Sequence, residues 1–295
     1  ILRANSAARL LKSGEAFSVV NLSDEQTRIE KLMKENGYYF YKAAYTTFRA
    51  DTIMRPGFVQ LQVQPIASRP KEADRPWYIG NVHVHLRRNE DDVTDKTLRR
   101  RRYTYSFSGD KMPLRASVWR HAIAHRSGEK YRLSDYQTTM EKIGAMGVLS
   151  QMDLSYVPRD TSALAGDTLD LVIHAVMDKL FDSTFEMNPT FKSNQQVGPG
   201  VSYELSKRNA FRGGEKVSFK IFGSYEWQTG AGAEGGNSLL NSYELGTALT
   251  FRFPRFVFPG VSRRRQRFPA TTDFVIDADW KNRSGFFQMV SMGLE

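Results

Sequence analysis

The chain has 295 residues, of which 40% are hydrophobic and 25% charged, with a formal net charge of +10. It contains no cysteine, which excludes a disulfide framework, a thiolate metal site and a Cys nucleophile. No stretch approaches the roughly 20 consecutive apolar residues of a membrane helix, so a chain of this kind that spans a bilayer does so as a closed barrel. Much of the positive excess is local, in Arg99, Arg100, Arg101 and Arg102 and in Arg263, Arg264, Arg265 and Arg267. The chain opens at Ile1 without a charged and then apolar leader, and its last residues read as a strand cut short. Both ends therefore read as truncated.

Residues 4–11 read as the end of a helix, followed by a turn at Ser13-Gly14. A second helix is expected from Ser23-Asp24, which offers an N-cap, to Asn36-Gly37, a C-cap signal. Two strands follow, 38–50 and 58–64, around the turn Arg55-Pro56-Gly57. A charged linker occupies 68–76, and 77–86 reads as a strand. Residues 87–111 are polar and irregular, with a short strand at 103–107. Helices are expected at 114–124 and from Ser134-Asp135 to 146, then strands at 149–157 and 168–177. The two halves of this region repeat. Leu22-Ser23-Asp24 and Glu30-Lys31 recur at one offset as Leu133-Ser134-Asp135 and Glu141-Lys142. The expected unit is β-α-α-β-β, two helices on a three-stranded sheet, with the first copy lacking its opening strand.

From residue 184 the period changes to two. Phe185, Met187 and Phe191 alternate with Glu186 and Asn188, and Val201, Tyr203 and Leu205 with Ser202 and Glu204. Val217, Phe219, Ile221, Tyr225 and Trp227 oppose Lys216, Ser218, Lys220, Ser224 and Glu226, with Phe222 the one exception. Strands at 242–253 and around 273–280, and the start of another near 286, continue the pattern. These runs match a tilted transmembrane β-strand of roughly 9–11 residues, apolar side to lipid and polar side to the lumen. Residues 229–241, rich in Gly, Asn and Ser, read as an outer loop.

The order of these parts resembles that of the BamA/TamA superfamily of outer-membrane assembly proteins. The β-α-α-β-β units resemble polypeptide-transport-associated (POTRA) domains, with the junctions Asn36-Gly37-Tyr38-Tyr39-Phe40 and Met146-Gly147-Val148-Leu149 and the strand opening Asp167-Thr168-Leu169-Asp170. The strands after them resemble the first part of the superfamily's sixteen-stranded barrel. Lys207 to Glu215, with Gly213-Gly214, resembles a periplasmic hairpin, and Phe253-Pro254-Arg255 to Pro269 resembles the next. The long insertion and the basic turn resemble the TamL-like branch of Bacteroidetes. The signature loop of the superfamily's lumen is not in this sequence.

The fold class so implied is α+β POTRA domains followed by antiparallel transmembrane strands of an incomplete barrel. Its parts are a POTRA-like unit at 1–66, a linker at 67–76, a POTRA unit at 77–178 with an insertion at 87–111, and five to six barrel strands over 181–295. The resemblance implies a non-enzymatic factor of the outer membrane. Its POTRA domains, in the periplasm, would receive unfolded outer-membrane client proteins. The further partners implied are outer-membrane lipids and a periplasm-spanning TamB-like protein or assembly lipoproteins, with no nucleic acid and no cofactor. A dedicated secretion pore with POTRA targeting modules is the alternative, and an enzyme fused to a barrel a third.

Three sets of residues follow. The strand after the second helix, with Ser150, Met152, Leu154 and Tyr156, is the expected edge for β-augmentation by a client; its counterpart in the first unit is 39–47. The first barrel strand, with Phe185, Met187, Pro189 and Phe191, is the expected lateral seam. Pro189 fits an edge because it lacks a ladder donor. Arg263, Arg264, Arg265 and Arg267 are expected at lipid headgroups, and the Arg99–Arg102 block at a partner protein or headgroups. His121 and His125 stand one helical turn apart without the Glu of a zinc motif, and His83, His85 and His174 read as packed or solvent-facing. Asp273, Asp277 and Asp279 read as lumen carboxylates matched to Lys216, Lys220 and Arg252. No nucleophile elbow or phosphate loop occurs.

Overall fold

The computed structural model describes residues 1–159, 167–191, 196–228, 242–257, 269–283 and 287–295. It consists of a small helix-and-hairpin unit, a larger α+β unit, and an open antiparallel sheet. This is the α+β-then-meander architecture expected above.

In the first unit α1 (Val19–Glu35) begins earlier than expected, because Ser18 supplies the N-cap and its Oγ accepts from the Asn21 amide at 3.5 Å. Ile29 is its buried anchor. It stops at a Schellman cap: Tyr38 N–H donates to Met33 O (3.1 Å) and Gly37 N–H to Lys34 O (3.3 Å), with Gly37 at φ 105°. Ahead of it there is one short 3-10 turn, Ser6–Ala8, and not the end of a helix. The strand expected at 38–50 shortens to β1 (Thr46–Asp51), which pairs antiparallel only with β2 (Gln60–Pro65). Residues 38–45 do not join a sheet; they carry aromatic side chains that cross to the next unit. The first unit is thus one helix with a two-stranded hairpin among the described residues.

The second unit holds the main core. Its strands are β3 (Tyr78–Arg87), β4 (Lys96–Arg100), β5 (Tyr103–Phe107), β6 (Leu149–Pro158) and β7 (Thr168–Met177), in the order β4-β5-β3-β7-β6. β3 runs parallel to both β5 and β7, while β6 and β4 are antiparallel edges. Residues 87–111 are therefore no irregular insertion. They add a hairpin to the sheet and raise it from three strands to five. α2 (Ala116–Ala122) and α3 (Leu133–Gly144) cover one face. Leu169, Leu171 and Ile173 of β7 are fully buried against Trp119 and Ile143; burial of each such aliphatic contributes about 1.5–3 kcal/mol. The alternate residues His83, His85 and His174 lie on the other face of the sheet, where the His85 and His174 rings stack at 4.8 Å.

The third part is a six-stranded meander: β8 (Phe181–Phe191), β9 (Gln196–Lys207), β10 (Lys216–Gln228), β11 (Ser242–Phe253), β12 (Thr272–Arg283) and β13 (Phe287–Leu294). β8 and β13 are its two edges, so the sheet is open. Registration aligns Leu205, Phe219, Leu249, Ile276 and Leu294 in one row across five strands. A continuous apolar face of this size exceeds what a water-facing sheet exposes. The other face is polar and paired. Arg252 meets Asp273 (2.7 Å), Lys281 meets Glu244 (2.9 Å) and Lys216 meets Glu204 (3.7 Å). Only Arg252 makes the expected pairing with the aspartates; Asp279 accepts instead from Ser291 Oγ at 2.9 Å. Phe222, the exception on this face, lies over Gly246, its cross-strand partner, where any Cβ would collide with the ring. The aromatic covers a backbone that lacks a side chain of its own.

Candidate functional site

Two free strand edges carry the predicted site residues. The first is β6, which pairs only with β7. Leu154 and Tyr156 point into the core, Met152 is half-buried, and Ser150 is exposed next to an irregularity in the β6–β7 register. The outer backbone edge of β6 is unpaired among the described residues. The counterpart expected at 39–47 is not an edge strand, since residues 39–45 have left the sheet. Tyr39 instead packs on Tyr131 (ring centroids 5.0 Å) and Tyr156 (5.2 Å), and Phe40 on Trp77 (5.1 Å). Glu35 of α1 accepts from the amide and hydroxyl of Ser134 at 2.9 and 2.5 Å. That hydroxyl, in the first turn of α3, thus ties the two units together.

His125 sits inside this aromatic joint. Its Nε2 lies 2.5 Å from the Tyr156 hydroxyl, and its Nδ1 has no hydrogen-bond partner. Burial pushes its pKa down to about 4, so the ring is neutral; burial pushes Tyr156 up. His121 is exposed, with Nδ1 on the Ser117 carbonyl. The two histidines do not converge, and no group of three or more His, Asp or Glu converges among the described residues.

The second edge is β8. Phe185 and Met187 are 68% and 66% exposed on the apolar face. Pro189 is aligned with Pro199 of β9. Neither has an N–H, so they cannot exchange the two bonds of a hydrogen-bonded pair. They occupy a non-hydrogen-bonded pair, in which each amide position points away from the other strand. For β8 that direction is its free edge. Phe181, Ser183, Phe185 and Met187 share the phase and present N–H and C=O groups there, and Pro189 ends the row of donors. For β9 that direction is β10, where pairing lapses between Ser224↔Gly200 and Trp227↔Val197. Phe191 continues the backbone pairing, opposite Val197. Arg263, Arg264, Arg265 and Arg267 lie outside the described residues, as does the loop 229–241.

Between the edges is a joint that residue type alone did not reveal. Residues 178–180 connect β7 directly to β8. Asp178 donates its N–H to Val148 O at 2.9 Å and its carboxylate pairs with Arg208, which also reaches Asp182 at 3.4 Å. The β9–β10 turn docks on the start of α2. Asn209 Nδ2 donates to Pro113 O (3.0 Å), its Oδ1 accepts from Gly214 N–H (3.1 Å), and Arg115 N–H donates to Arg212 O (2.9 Å). Glu215, 4% exposed, accepts from Gly213 N–H at 2.8 Å and from Arg255 of the next turn at 3.2 Å. Asn209 and Arg212 have positive φ, 54° and 60°. The Asn in a turn was the available signal; the surface it meets was not.

Solved structures with a similar arrangement include BamA from Haemophilus ducreyi lacking POTRA domains 1-3, at TM-score 0.45 and 11% identity, over 96% of this chain and 53% of that one. CdiB from Acinetobacter baumannii gives 0.40 and 8%, over 99% and 54%. POTRA1-3 of the periplasmic domain of Omp85 from Anabaena gives 0.29 and 15%, over 61% and 56%. The chain spans about half the length of these structures. No protein-family model matches the chain, and no curated protein matches it in sequence.

Proposed function

We propose that this chain is part of an outer-membrane assembly or translocation factor of the Omp85 superfamily, close to the BamA/TamA proteins and of the TamL-like branch. It works without catalysis or cofactor. The α+β units lie in the periplasm and the meander is the first part of a lipid-embedded barrel. Unfolded outer-membrane clients dock as extended strands on the β6 edge, next to Ser150 and Met152. The β8 edge forms a lateral seam with the barrel's final strand and opens to admit client strands. A TamB-like protein or assembly lipoproteins are its partners in the periplasm.

The observation that carries this reading is the β8 edge. It follows the α+β unit after three residues, faces lipid with Phe185 and Met187, and loses a donor at Pro189. A seam short of one bond is held less tightly than an interior ladder. The test is a disulfide lock between β8 and the final strand of the full-length protein, with and without reductant. Locking is expected to stop assembly of outer-membrane clients. Undiminished assembly with the seam locked would refute it, and would favour a dedicated pore whose lumen alone is used.

A further inference from the structure

The Arg99–Arg102 block does not stand free in solvent. It forms one wall of a cleft of about 1830 Å³ between the β4–β5 hairpin, the end of α2 and the first half of α3. Arg120 and Arg132 face it from the helices. The carboxylates around the cleft have other neighbours: Glu35 holds Ser134, Glu129 meets Arg126 at 3.7 Å, and Asp135 lies 3.9 Å from His125 Nδ1. Arg102 donates to Ser127 Oγ. No carboxylate lies within ion-pair distance of Arg99, Arg100, Arg101, Arg120 or Arg132 among the described residues. Four of these, Arg100, Arg101, Arg120 and Arg132, therefore line the cleft from its helix side without an ion-pair partner, while Arg99, in phase with Thr97, lies on the other face of β4. This is a site built for an anion, because guanidinium binds planar oxyanions in a bidentate fork.

The same cleft contains Leu98 to Arg100 of β4, and β4 is a sheet edge whose only strand partner is β5. A phosphate group has no use for a row of free backbone N–H and C=O groups, whereas an extended polypeptide does. We infer that this cleft takes an acidic, extended polypeptide segment, which adds a strand to β4 and sets its Asp and Glu side chains against the arginines. Charged side chains on an edge normally keep other strands away. Here they reject basic strands and admit acidic ones, so the edge becomes selective. β4 has five residues, which is room for an acidic motif of about five residues at roughly 3.3 Å each. The site is separate from the β6 edge, which lies at the opposite side of the sheet. That the segment belongs to a client rests on the proposed function; the binding itself does not.

The experiment uses the full-length protein in detergent micelles and a fluorescent decapeptide alternating Glu with Val or Thr, read by anisotropy. Saturable binding is expected, weakened at least tenfold by Arg100→Ser with Arg120→Ser and at least tenfold by N-methylation of alternate peptide amides. Both variants change exposed side chains, and the barrel's heat-modifiable mobility on gels checks the fold. The charge-reversed pair Arg100→Glu with Arg120→Glu is expected to bind the corresponding Lys peptide instead. Equal binding of acidic and basic peptides, or no effect of the arginine substitutions, would overturn the site. Full binding of the N-methylated peptide would overturn the added strand. Displacement of the peptide by millimolar inorganic phosphate, or by phosphatidylglycerol vesicles through the same arginines, would overturn the polypeptide assignment in favour of free phosphate or a lipid headgroup respectively. A failed seam lock with intact peptide binding would count against the proposed function alone.

Discussion

Replacing Pro189 by Ala restores one backbone donor at the free edge of β8. The alignment of Pro189 with Pro199 fixes the direction of that donor, away from β9 and toward whatever strand closes the seam. One additional backbone hydrogen bond contributes about 0.5–1.5 kcal/mol net. The seam's open-to-closed ratio should therefore fall by roughly 2- to 12-fold, since about 1.4 kcal/mol is a factor of ten. The chain contains no cysteine, so Ser183→Cys adds the single thiol of this part, to be paired with one cysteine in the final strand of the full-length protein. Trapping of the open seam by a thiol reagent then reports the opening frequency, compared with and without the Pro189→Ala substitution. Pro199→Ala is the internal control, because its amide faces β10 and would mend only the lapse between Gly200 and Val197. Equal slowing by both substitutions would refute the assignment of the two edges. Unchanged or faster trapping with Pro189→Ala would refute the donor argument itself.

Three further outcomes follow from the joints. His125 is expected to make its surroundings acid-labile. Its folded pKa of about 4 lies below the ordinary 6.5, so the unfolded chain takes up a proton that the folded chain refuses, and stability falls as pH drops from about 6.5 toward 4. The loss is about 1.4 kcal/mol per pH unit, or about 3 kcal/mol over the window. Hydrogen exchange at β6 and α3, corrected for intrinsic rates, should show this slope, and His125→Gln should flatten it. Glu215→Ala should cost about 1–3 kcal/mol by stranding the Gly213 amide and leaving Arg255 without its carboxylate, read as faster protease cleavage at 208–215; resistance equal to the native chain would contradict the docked turn. Gly246→Val should drive Phe222 off its seat and lower the yield of folded barrel, with Phe222→Ala partly rescuing it.

Periodicity made most of this fold legible, and the failures share one cause. β7 follows the expected bounds because Leu169, Leu171 and Ile173 recur at period two, with Asp170 and His174 on the alternate phase and Val172 the apolar exception. The meander was legible for the same reason, down to Phe222 as the misfit. α1 begins before the expected Ser23 because Val19 and Val20, its first residues, are 70% and 67% exposed and belong to no apolar face. Residues 38–45 look like a strand because they are aromatic, but their rings fill a contact between two units, which local sequence does not encode. The β4–β5 hairpin is half-hidden because arginines stand on both of its faces and mask the alternation of Leu98 and Arg100 with Thr97 and Arg99. The free edges of β6 and β8 were reachable from strand order. The docking of Asn209 and Arg212 is not, because their partners Pro113 and Arg115 lie about a hundred residues away in sequence.

These joints restrict where the chain is able to move. Between the first two units, Tyr39, Tyr131 and Tyr156 interlock and Glu35 holds Ser134. Between the second unit and the meander, a three-residue connection is braced by Arg208 on Asp178 and by a turn bonded to Pro113 and Arg115. Aromatic contacts of this kind are worth about 0.5–1.5 kcal/mol each beyond burial, and the turn's bonds about 0.5–1.5 kcal/mol each. Either joint thus costs several kcal/mol to open. Loss of one edge bond at Pro189 costs only a fraction of that. If the chain passes extended segments into a membrane, the motion that admits them is therefore set at the β8 edge, while the α+β units hold the β4 and β6 edges at fixed positions beneath it.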